Sequence, residues 1–394
     1  MRRLLLVALL PAALIPPAWL VSGADLPDRY VATPDRPITP ATRGLEAAAL
    51  HRQADPSRRD ATIRSLRAQN PEWDFMARTF TAYALAELAL AEPETRTERL
   101  HALDSIIEQT LTDDAKGPTY FLLPYGTARP FSVQPPRSAF TDGEIALMLG
   151  LRRLVEEHPD YRAPMTERLD TVVARMEQSP VLCAESYPDE CWLFCTTIAL
   201  AAMRVQDVLD HTDHQPLFRR WVAVAKEQLV DPQTGLLVSS FRLDGTPKDG
   251  PEGSSIFLAA HMLRLVDPAF ALEQHTRANA ELSGSFMGLG YAREWPKSWS
   301  GPRDVDSGEL VPMLDASPSA SGFAVLDAAS FGDTARLTSL QTAVALTAEP
   351  VWEGDELRFA RGNEVGDAVL LYAGAVGPAW AKVSDTSDVS VIHH

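Results

Sequence analysis

Two kinds of predicted helix alternate along the chain, and this alternation restricts the fold more than any other feature. Segments of the first kind, such as residues 72–90 and 192–209, are apolar on nearly all sides and must be buried all round. Segments of the second kind, such as residues 100–111 and 165–178, are amphipathic and can cover a core with one face. A closed ring of helical hairpins, apolar helices inside and amphipathic helices outside, satisfies both. We therefore predict an all-α fold, an (α/α)6 toroid.

The series of predicted helices continues to the end of the chain. The others cover residues 141–157, 217–229, 254–266, 270–282, 322–329, 334–348 and 364–374. An open α-solenoid is the alternative, but solenoids are built from repeats of fixed period, and we find no such repeat. We expect one toroid domain over residues 43–394, with long loops that gather at one rim and shape a pocket.

The first 24 residues have the pattern of a secretory signal peptide. Arg2 and Arg3 precede an apolar run over residues 4–21, and small residues ending at Ala24 follow it. Prolines within the run would break a straight membrane helix. We therefore expect an exported protein, periplasmic or secreted, with an uncleaved N-terminal membrane anchor as the alternative. The proline-rich residues 25–42 are predicted to form an extended lead-in.

The charge balance excludes several partners. The chain has 36 Lys and Arg against 53 Asp and Glu, a net charge of -17, which repels nucleic-acid phosphates and anionic membranes. We expect no nucleic-acid partner, and membrane contact only through an uncleaved N-terminal segment. The chain has no GxSxG elbow, HExxH helix, Walker A loop or Rossmann glycine pattern, and we expect no cofactor.

The segment before the apolar helix at residue 192 combines carboxylates, a phenol, an indole and thiols. A carboxylate at a helix start is often only a cap, and this alternative applies to Asp189. Capping, however, needs neither Tyr187, Trp192 nor Cys195. We therefore predict Tyr187, Asp189 and Cys195 as catalytic residues and Trp192 as a substrate-binding residue.

The three cysteines admit two interpretations. Cys191 and Cys195 are four residues apart, and an ideal helix does not hold such sulfurs in bonding geometry. A bridge between Cys183 and Cys191 is more feasible in an exported protein and leaves Cys195 free. Alternatively, all three are small buried thiols that pack as hydrophobic groups. No histidine has metal-ligand spacing to them, so we predict no zinc site.

Glu144 stands just before a run of apolar residues, 145–149. It is either a first-turn cap or a pocket acid. Burial against apolar neighbours would raise its pKa and make it a usable general acid. We predict it to be catalytic.

Aromatic and acidic residues elsewhere complete the predicted site. The predicted substrate-binding residues, besides Trp192, are Trp73, Tyr83, Ser254, Trp295, Asp304, Asp306 and Asn363. Asp304 and Asp306 lie in a DxDSG stretch that is similar to part of a calcium loop, but the other ligand positions are missing, so we predict no metal. Asn363 is either a cap of the last apolar helix or part of the site.

The chain resembles the linalool dehydratase/isomerase family in four short segments that keep their order and spacing. They are residues 143–145 (GEI), 186–195 (SYPDECWLFC), 231–235 (DPQTG) and 267–270 (DPAF). The resemblance implies an (α/α)6 fold, export, assembly into a homo-oligomer, and cofactor-free dehydration or isomerisation of a terpene alcohol.

The site differs from the family pattern. The family's first active-site cysteine falls on Ser186, its histidine on Glu144 and a pocket tyrosine on Ser254, whereas the second cysteine is kept as Cys195. Because a fold can persist while its site changes chemistry, we expect a substrate other than linalool.

Three classes of function therefore stay open at this point. The first is an exported lyase or isomerase of an apolar hydroxylated or unsaturated, terpenoid-like substrate, with Glu144 as acid and Asp189 or Tyr187 as base. The second is a carbohydrate-active hydrolase or epimerase with paired carboxylates and tryptophan platforms. The third is a non-catalytic exported binding protein.

Overall fold

The structure is a computed structural model that describes residues 29–32, 36–303, 310–311 and 313–388. The predicted signal peptide and the predicted binding residues Asp304 and Asp306 lie outside the described residues.

The described residues form fourteen α-helices, numbered here in chain order. They are α1 (Pro40–Ala54), α2 (Pro56–Gln69), α3 (Pro71–Ala91), α4 (Arg96–Asp114), α5 (Ala139–Val155), α6 (Pro159–Met176), α7 (Leu193–Asp210), α8 (Gln215–Gln228), α9 (Gly253–Leu263), α10 (Pro268–Leu282), α11 (Pro318–Phe331), α12 (Thr334–Thr347), α13 (Glu364–Ala375) and α14 (Pro378–Asp388).

Six of these helices form a closed inner ring. Helices α3, α5, α7, α9, α11 and α13 each pack against the next, and α13 packs against α3. Every residue of α5 and of α9 is buried, as expected for helices that are surrounded by other helices. Helices α4, α6, α10 and α12 pack outside the ring against α3, α5, α9 and α11, respectively. The predicted (α/α)6 toroid is therefore confirmed.

Short β-strands join some of the helices. Strands β1 (Cys191–Trp192), β2 (Ser240–Phe241) and β3 (Pro247–Asp249) form one antiparallel sheet, in which Cys191 lies opposite Phe241. Two hairpins, β4 (Ser283–Phe286) with β5 (Leu289–Ala292) and β6 (Pro350–Glu353) with β7 (Glu356–Phe359), follow α10 and α12.

Three helices were not predicted. Helix α1 begins at Pro40, inside the segment for which we predicted an extended lead-in, and Thr39 caps it. Helix α2 follows it. Helix α14 packs against both α3 and α7, which are not neighbours in the ring, and therefore crosses one end of the toroid. None of the helices in the described part of the chain is both long and apolar enough to cross a bilayer.

Candidate active site

A cavity of 510 Å³ lies at the N-terminal ends of the inner helices. The second residue of every inner helix lines it: Glu72, Phe140, Phe194, Ser254, Ser319 and Val365. Because all six helices begin at this cavity, the positive ends of their dipoles point towards it. The dipoles therefore favour the carboxylate groups that line this end of the ring.

The cavity wall is mostly apolar and aromatic. Its apolar members include Trp73, Met76, Leu123, Phe140, Trp192, Phe194, Phe323, Val365 and Val369. Its polar members include Glu72, Tyr125, Tyr187, Cys195, Glu252, Ser254, Ser255, Arg361 and Asn363. A concave apolar site with a few polar groups is typical of a pocket for a small molecule.

Glu72 and Tyr187 form a hydrogen-bonded pair in the wall. The Tyr187 hydroxyl donates to Glu72 Oε1 and accepts from the backbone N–H of Leu123 at 2.7 Å. Its ring stacks on Tyr125, with ring centroids 4.4 Å apart. Burial, together with the charge of Glu72, raises the pKa of Tyr187. The phenol therefore stays protonated and keeps a donor directed at the Glu72 carboxylate.

The segment that carries Tyr187 is closed by a disulfide between Cys183 and Cys191. Of the two interpretations of the cysteines, the structure has the bridge. Cys195 is a free, buried thiol that lines the cavity. Burial raises its pKa well above the usual value, and a hydrogen bond with Ser186 opposes this effect. Cys195 is therefore a neutral thiol at neutral pH.

We expect the double variant Cys183→Ser, Cys191→Ser to be less stable by about 2–3 kcal/mol, since the bridge restricts a short loop in the unfolded chain. Urea unfolding of the purified proteins measures the difference. Cys195→Ser is the matched control because it removes a buried thiol and keeps the bridge. Equal stability of the double variant and the wild type would contradict the prediction.

Glu144 lies behind the cavity wall, in the second turn of α5, and is fully buried. Its Oε2 accepts from the Thr79 hydroxyl, and its backbone oxygen accepts from the Tyr83 hydroxyl at 3.1 Å. Its Oε1 has no hydrogen-bond partner among the described residues. Burial raises the pKa of Glu144 to about 8, against the opposing hydrogen bond from Thr79. The side chain is therefore a neutral acid at neutral pH and not a first-turn cap.

Six predicted site residues line the cavity, namely Trp73, Tyr187, Trp192, Cys195, Ser254 and Asn363. Of these, Asn363 is also the cap of α13, because its Oδ1 accepts from the backbone N–H groups of Val365 and Gly366, each at 3.1 Å. Asn363 therefore caps α13 and also lies in the cavity wall.

Four predicted residues are not part of the cavity wall. Glu144 and Tyr83 are buried behind it, and the Tyr83 hydroxyl donates a hydrogen bond to the backbone of α5. Trp295 is buried and stacks on Trp299, with ring centroids 5.9 Å apart. Asp189 lies in a turn and forms an ion pair with Arg242 at 3.0 Å. Its side chain is 31% exposed. Asp189 therefore points outward, towards Arg242.

Two lining carboxylates were missed by sequence reasoning. Glu72 is the second residue of α3 and Glu252 is the residue that precedes α9. Helices α3 and α9 are three places apart in the six-helix ring, so the two carboxylates approach the cavity from opposite sides. The sequence signal was their position at the start of apolar helices, which a cap also explains.

Metal ligands do not cluster in the described ranges, where no group of three or more His, Cys, Asp and Glu side chains could hold an ion. The cavity is built from single carboxylates that are separated by apolar side chains. Its described polar groups can therefore form hydrogen bonds with a ligand or transfer protons to and from it.

Solved structures with a similar fold include carbohydrate-active enzymes. An unsaturated glucuronyl hydrolase from Bacillus sp. GL1 is 12% identical, with a TM-score of 0.50 over 75% of this chain and 84% of that one. The GH76A alpha-1,6-mannanase from Salegentibacter sp. HEL1_6 is also 12% identical, with a TM-score of 0.50 over 78% of this chain and 89% of that one. At such identity these likenesses establish the toroid fold alone.

A family model gives the more specific result. The model described as linalool dehydratase/isomerase matches residues 147–365, a range that contains the disulfide, Tyr187, Cys195, Ser254 and most of the cavity. The match covers more than half of the chain and agrees with the motifs at residues 186–195 and 231–235. The chain belongs to the linalool dehydratase/isomerase family.

Proposed function

We propose that this protein is a lyase or isomerase that dehydrates or isomerises an apolar, hydroxylated or unsaturated compound of terpenoid type by acid–base catalysis. The observation that carries the proposal is the Glu72–Tyr187 pair in the wall of an aromatic cavity. Family membership supports the reaction class. An apolar wall lowers the local dielectric constant, which strengthens the electrostatic effect of each polar group on the substrate.

In the proposed reaction, Glu72 removes a proton from the carbon next to the carbinol carbon. The C–O bond breaks, a double bond forms, and the leaving oxygen takes a proton and departs as water. Cys195 lines the cavity and lies close enough to Glu144 for the charge of Glu144 to affect its pKa. In this proposal the Cys195 thiol gives its proton to the leaving oxygen and takes one in turn from Glu144, which its raised pKa keeps neutral. Proton exchange between the two carboxyl groups restores the site.

The aromatic wall supports this chemistry in a second way. Dehydration of an allylic or tertiary alcohol develops positive charge on carbon, and aromatic faces stabilise nearby cations. Trp73, Trp192 and Phe194 line the cavity. They would hold an apolar substrate and face the developing charge.

A carbohydrate-active enzyme is the second candidate. The observation that favours it is the placement of Glu72 and Glu252 on opposite sides of the cavity. Two carboxyl groups that flank a bond are the arrangement that glycoside hydrolysis uses. The mostly apolar wall favours the first candidate.

One experiment separates these candidates. The purified protein is incubated with a panel of allylic terpene alcohols and with an oligosaccharide panel, in ordinary water and in deuterium oxide, and the products are analysed by mass spectrometry. Loss of water, or isomerisation with deuterium incorporation, supports the proposal. Cleaved sugars would contradict the proposal and support a carbohydrate-active enzyme instead. No turnover of either panel would favour a binding protein.

We also propose that the protein is exported, as its N-terminal sequence predicts. The Cys183–Cys191 disulfide supports export, because disulfides persist in oxidising compartments.

A further inference from the structure

A buried carboxylate outside the cavity joins two neighbouring inner helices. Glu294 is 1% exposed and follows strand β5. Its backbone oxygen accepts from the N–H of Gly253 at 2.7 Å, at the start of α9. A Cβ atom at Gly253 would stand 2.2 Å from the backbone oxygen of Arg293, so only glycine permits this approach. The position of Glu294 relative to α9 is therefore fixed by the backbone.

The Glu294 carboxylate accepts three hydrogen bonds. Its Oε1 accepts from the Ser254 hydroxyl at 2.5 Å and from the Ser254 backbone N–H at 3.1 Å. Its Oε2 accepts from the Ser317 hydroxyl at 2.5 Å. Ser317 Oγ in turn accepts from the N–H of Ala320 at 3.1 Å and caps α11. A carboxylate offers only lone pairs, so the hydrogens of both hydroxyl groups point at Glu294.

Of the two serines, Ser254 lines the cavity. A serine hydroxyl has one hydrogen and two lone pairs. Since the hydrogen of Ser254 is given to Glu294, the oxygen can only accept a hydrogen bond from a molecule in the cavity. This polarity distinguishes ligands by chemistry, because an alcohol O–H can donate to it, whereas an ether or carbonyl oxygen cannot.

We infer that Ser254 is the residue that selects an alcohol, and that Glu294 is a positioning residue that fixes Ser254 as a hydrogen-bond acceptor. The inference deepens the function proposed above and rests on it for the nature of the ligand. A ligand oxygen without a hydrogen would face the lone pairs of Ser254 and leave polar groups unpaired, which lowers affinity. Glu294 itself does not contact the ligand.

The test compares the binding of two saturated probes, 3,7-dimethyl-1-octanol and its methyl ether. Neither contains the allylic system that the proposed reaction needs, so both should bind without turnover. A change in intrinsic tryptophan fluorescence reports binding, since Trp73 and Trp192 line the cavity. The wild type, Ser254→Ala, Glu294→Ala and the conservative variant Glu294→Gln are compared. Ser321→Ala is the matched control, because the hydrogen bonds of Ser321 Oγ in the described part of the chain are to the backbone of Ala292, whose N–H donates to it at 2.9 Å, and not to Glu294.

We expect the wild type and Ser321→Ala to bind the alcohol about tenfold more tightly than the ether, the effect of one hydrogen bond. Ser254→Ala should bind both probes equally. Glu294→Ala should lose most of the preference, because nothing then holds the hydrogen of Ser254. Glu294→Gln should keep it, because the Ser254 N–H holds the amide oxygen at the Oε1 position and only Ser317 must turn its hydrogen away. If neither Glu294 variant folds, the comparison of Ser254→Ala with Ser321→Ala decides the matter.

Several results would overturn the inference: equal affinities in the wild type, a preference that survives Ser254→Ala, or no binding of the alcohol up to its solubility. Turnover of the allylic panel is measured separately. Turnover without an alcohol preference would reject this inference and keep the proposed function. An alcohol preference without turnover would keep this inference and reject the proposed function.

Discussion

Glu72→Gln is expected to lower kcat on the productive substrate about 10²–10⁴-fold, the usual contribution of a positioned acid or base. The amide keeps the size of the side chain and removes the group that takes the proton. Tyr187→Phe is expected to cause a loss in the same range, because it removes the donor to Glu72 Oε1 and the acceptor for the Leu123 N–H. Steady-state kinetics with product detection by mass spectrometry measures both effects.

The control for this prediction is Asp189→Asn. Asp189 belongs to the same loop and has the same carboxylate chemistry, but it pairs with Arg242 away from the cavity wall. We expect this variant to keep its kcat within a factor of about three, as surface changes away from a site usually have small effects. Full activity of Glu72→Gln, or a loss in Asp189→Asn as large as that of Glu72→Gln, would contradict the assignment.

The toroid could be predicted because it depends on local patterns. An inner helix such as α7 is apolar on nearly all sides, and this property can be recognised from consecutive residues. Helix α2 was missed because Leu66 is its single buried residue, so the segment has no apolar stripe to detect. Its start is marked only by the cap Asp55 and by Pro56, signals that also occur in loops.

The site could be predicted only in part, because membership of a cavity is a long-range property. Tyr187 and Cys195 were found from an unusual local combination of residue types. Asp189 belongs to the same combination, yet a backbone with φ of 55° at this residue and the partner Arg242 place it outside the wall. In the sequence, Glu72 and Glu252 look the same as ordinary acidic residues at the start of a helix. Only closure of the ring brings them to one cavity.

Glu144 makes the folded protein less stable as pH rises. Its pKa in the folded protein is about 8, against 4.5 for an ordinary glutamate. Between these values the folded state holds a proton that the unfolded chain has lost, so the free energy of unfolding falls by up to about 1.4 kcal/mol per pH unit. The stabilisation is complete below pH 4.5 and is lost as pH rises through 8.

Glu144→Gln should remove this contribution, because the amide is neutral at every pH and its oxygen can still accept from Thr79. Compared with the wild type, the variant should lose about 3–4 kcal/mol less stability between pH 5 and pH 8, measured by urea unfolding at both values. Glu87→Gln is a parallel variant: Glu87 is buried far from the cavity, where its Oε2 accepts from the Ala379 N–H at 2.7 Å, and its pKa is also about 8.

The two variants should have similar effects on stability and different effects on activity. Both remove one carboxyl group that is protonated in the folded protein at neutral pH, so both should flatten the pH dependence of unfolding. Only Glu144 lies behind Cys195 and the Glu72–Tyr187 pair, so only Glu144→Gln should also lower kcat. A pH dependence of unfolding that is unchanged in Glu144→Gln would show that this side chain is not held neutral. Loss of activity in both variants would mean that the lower kcat comes from reduced stability and not from the loss of a proton donor at Glu144.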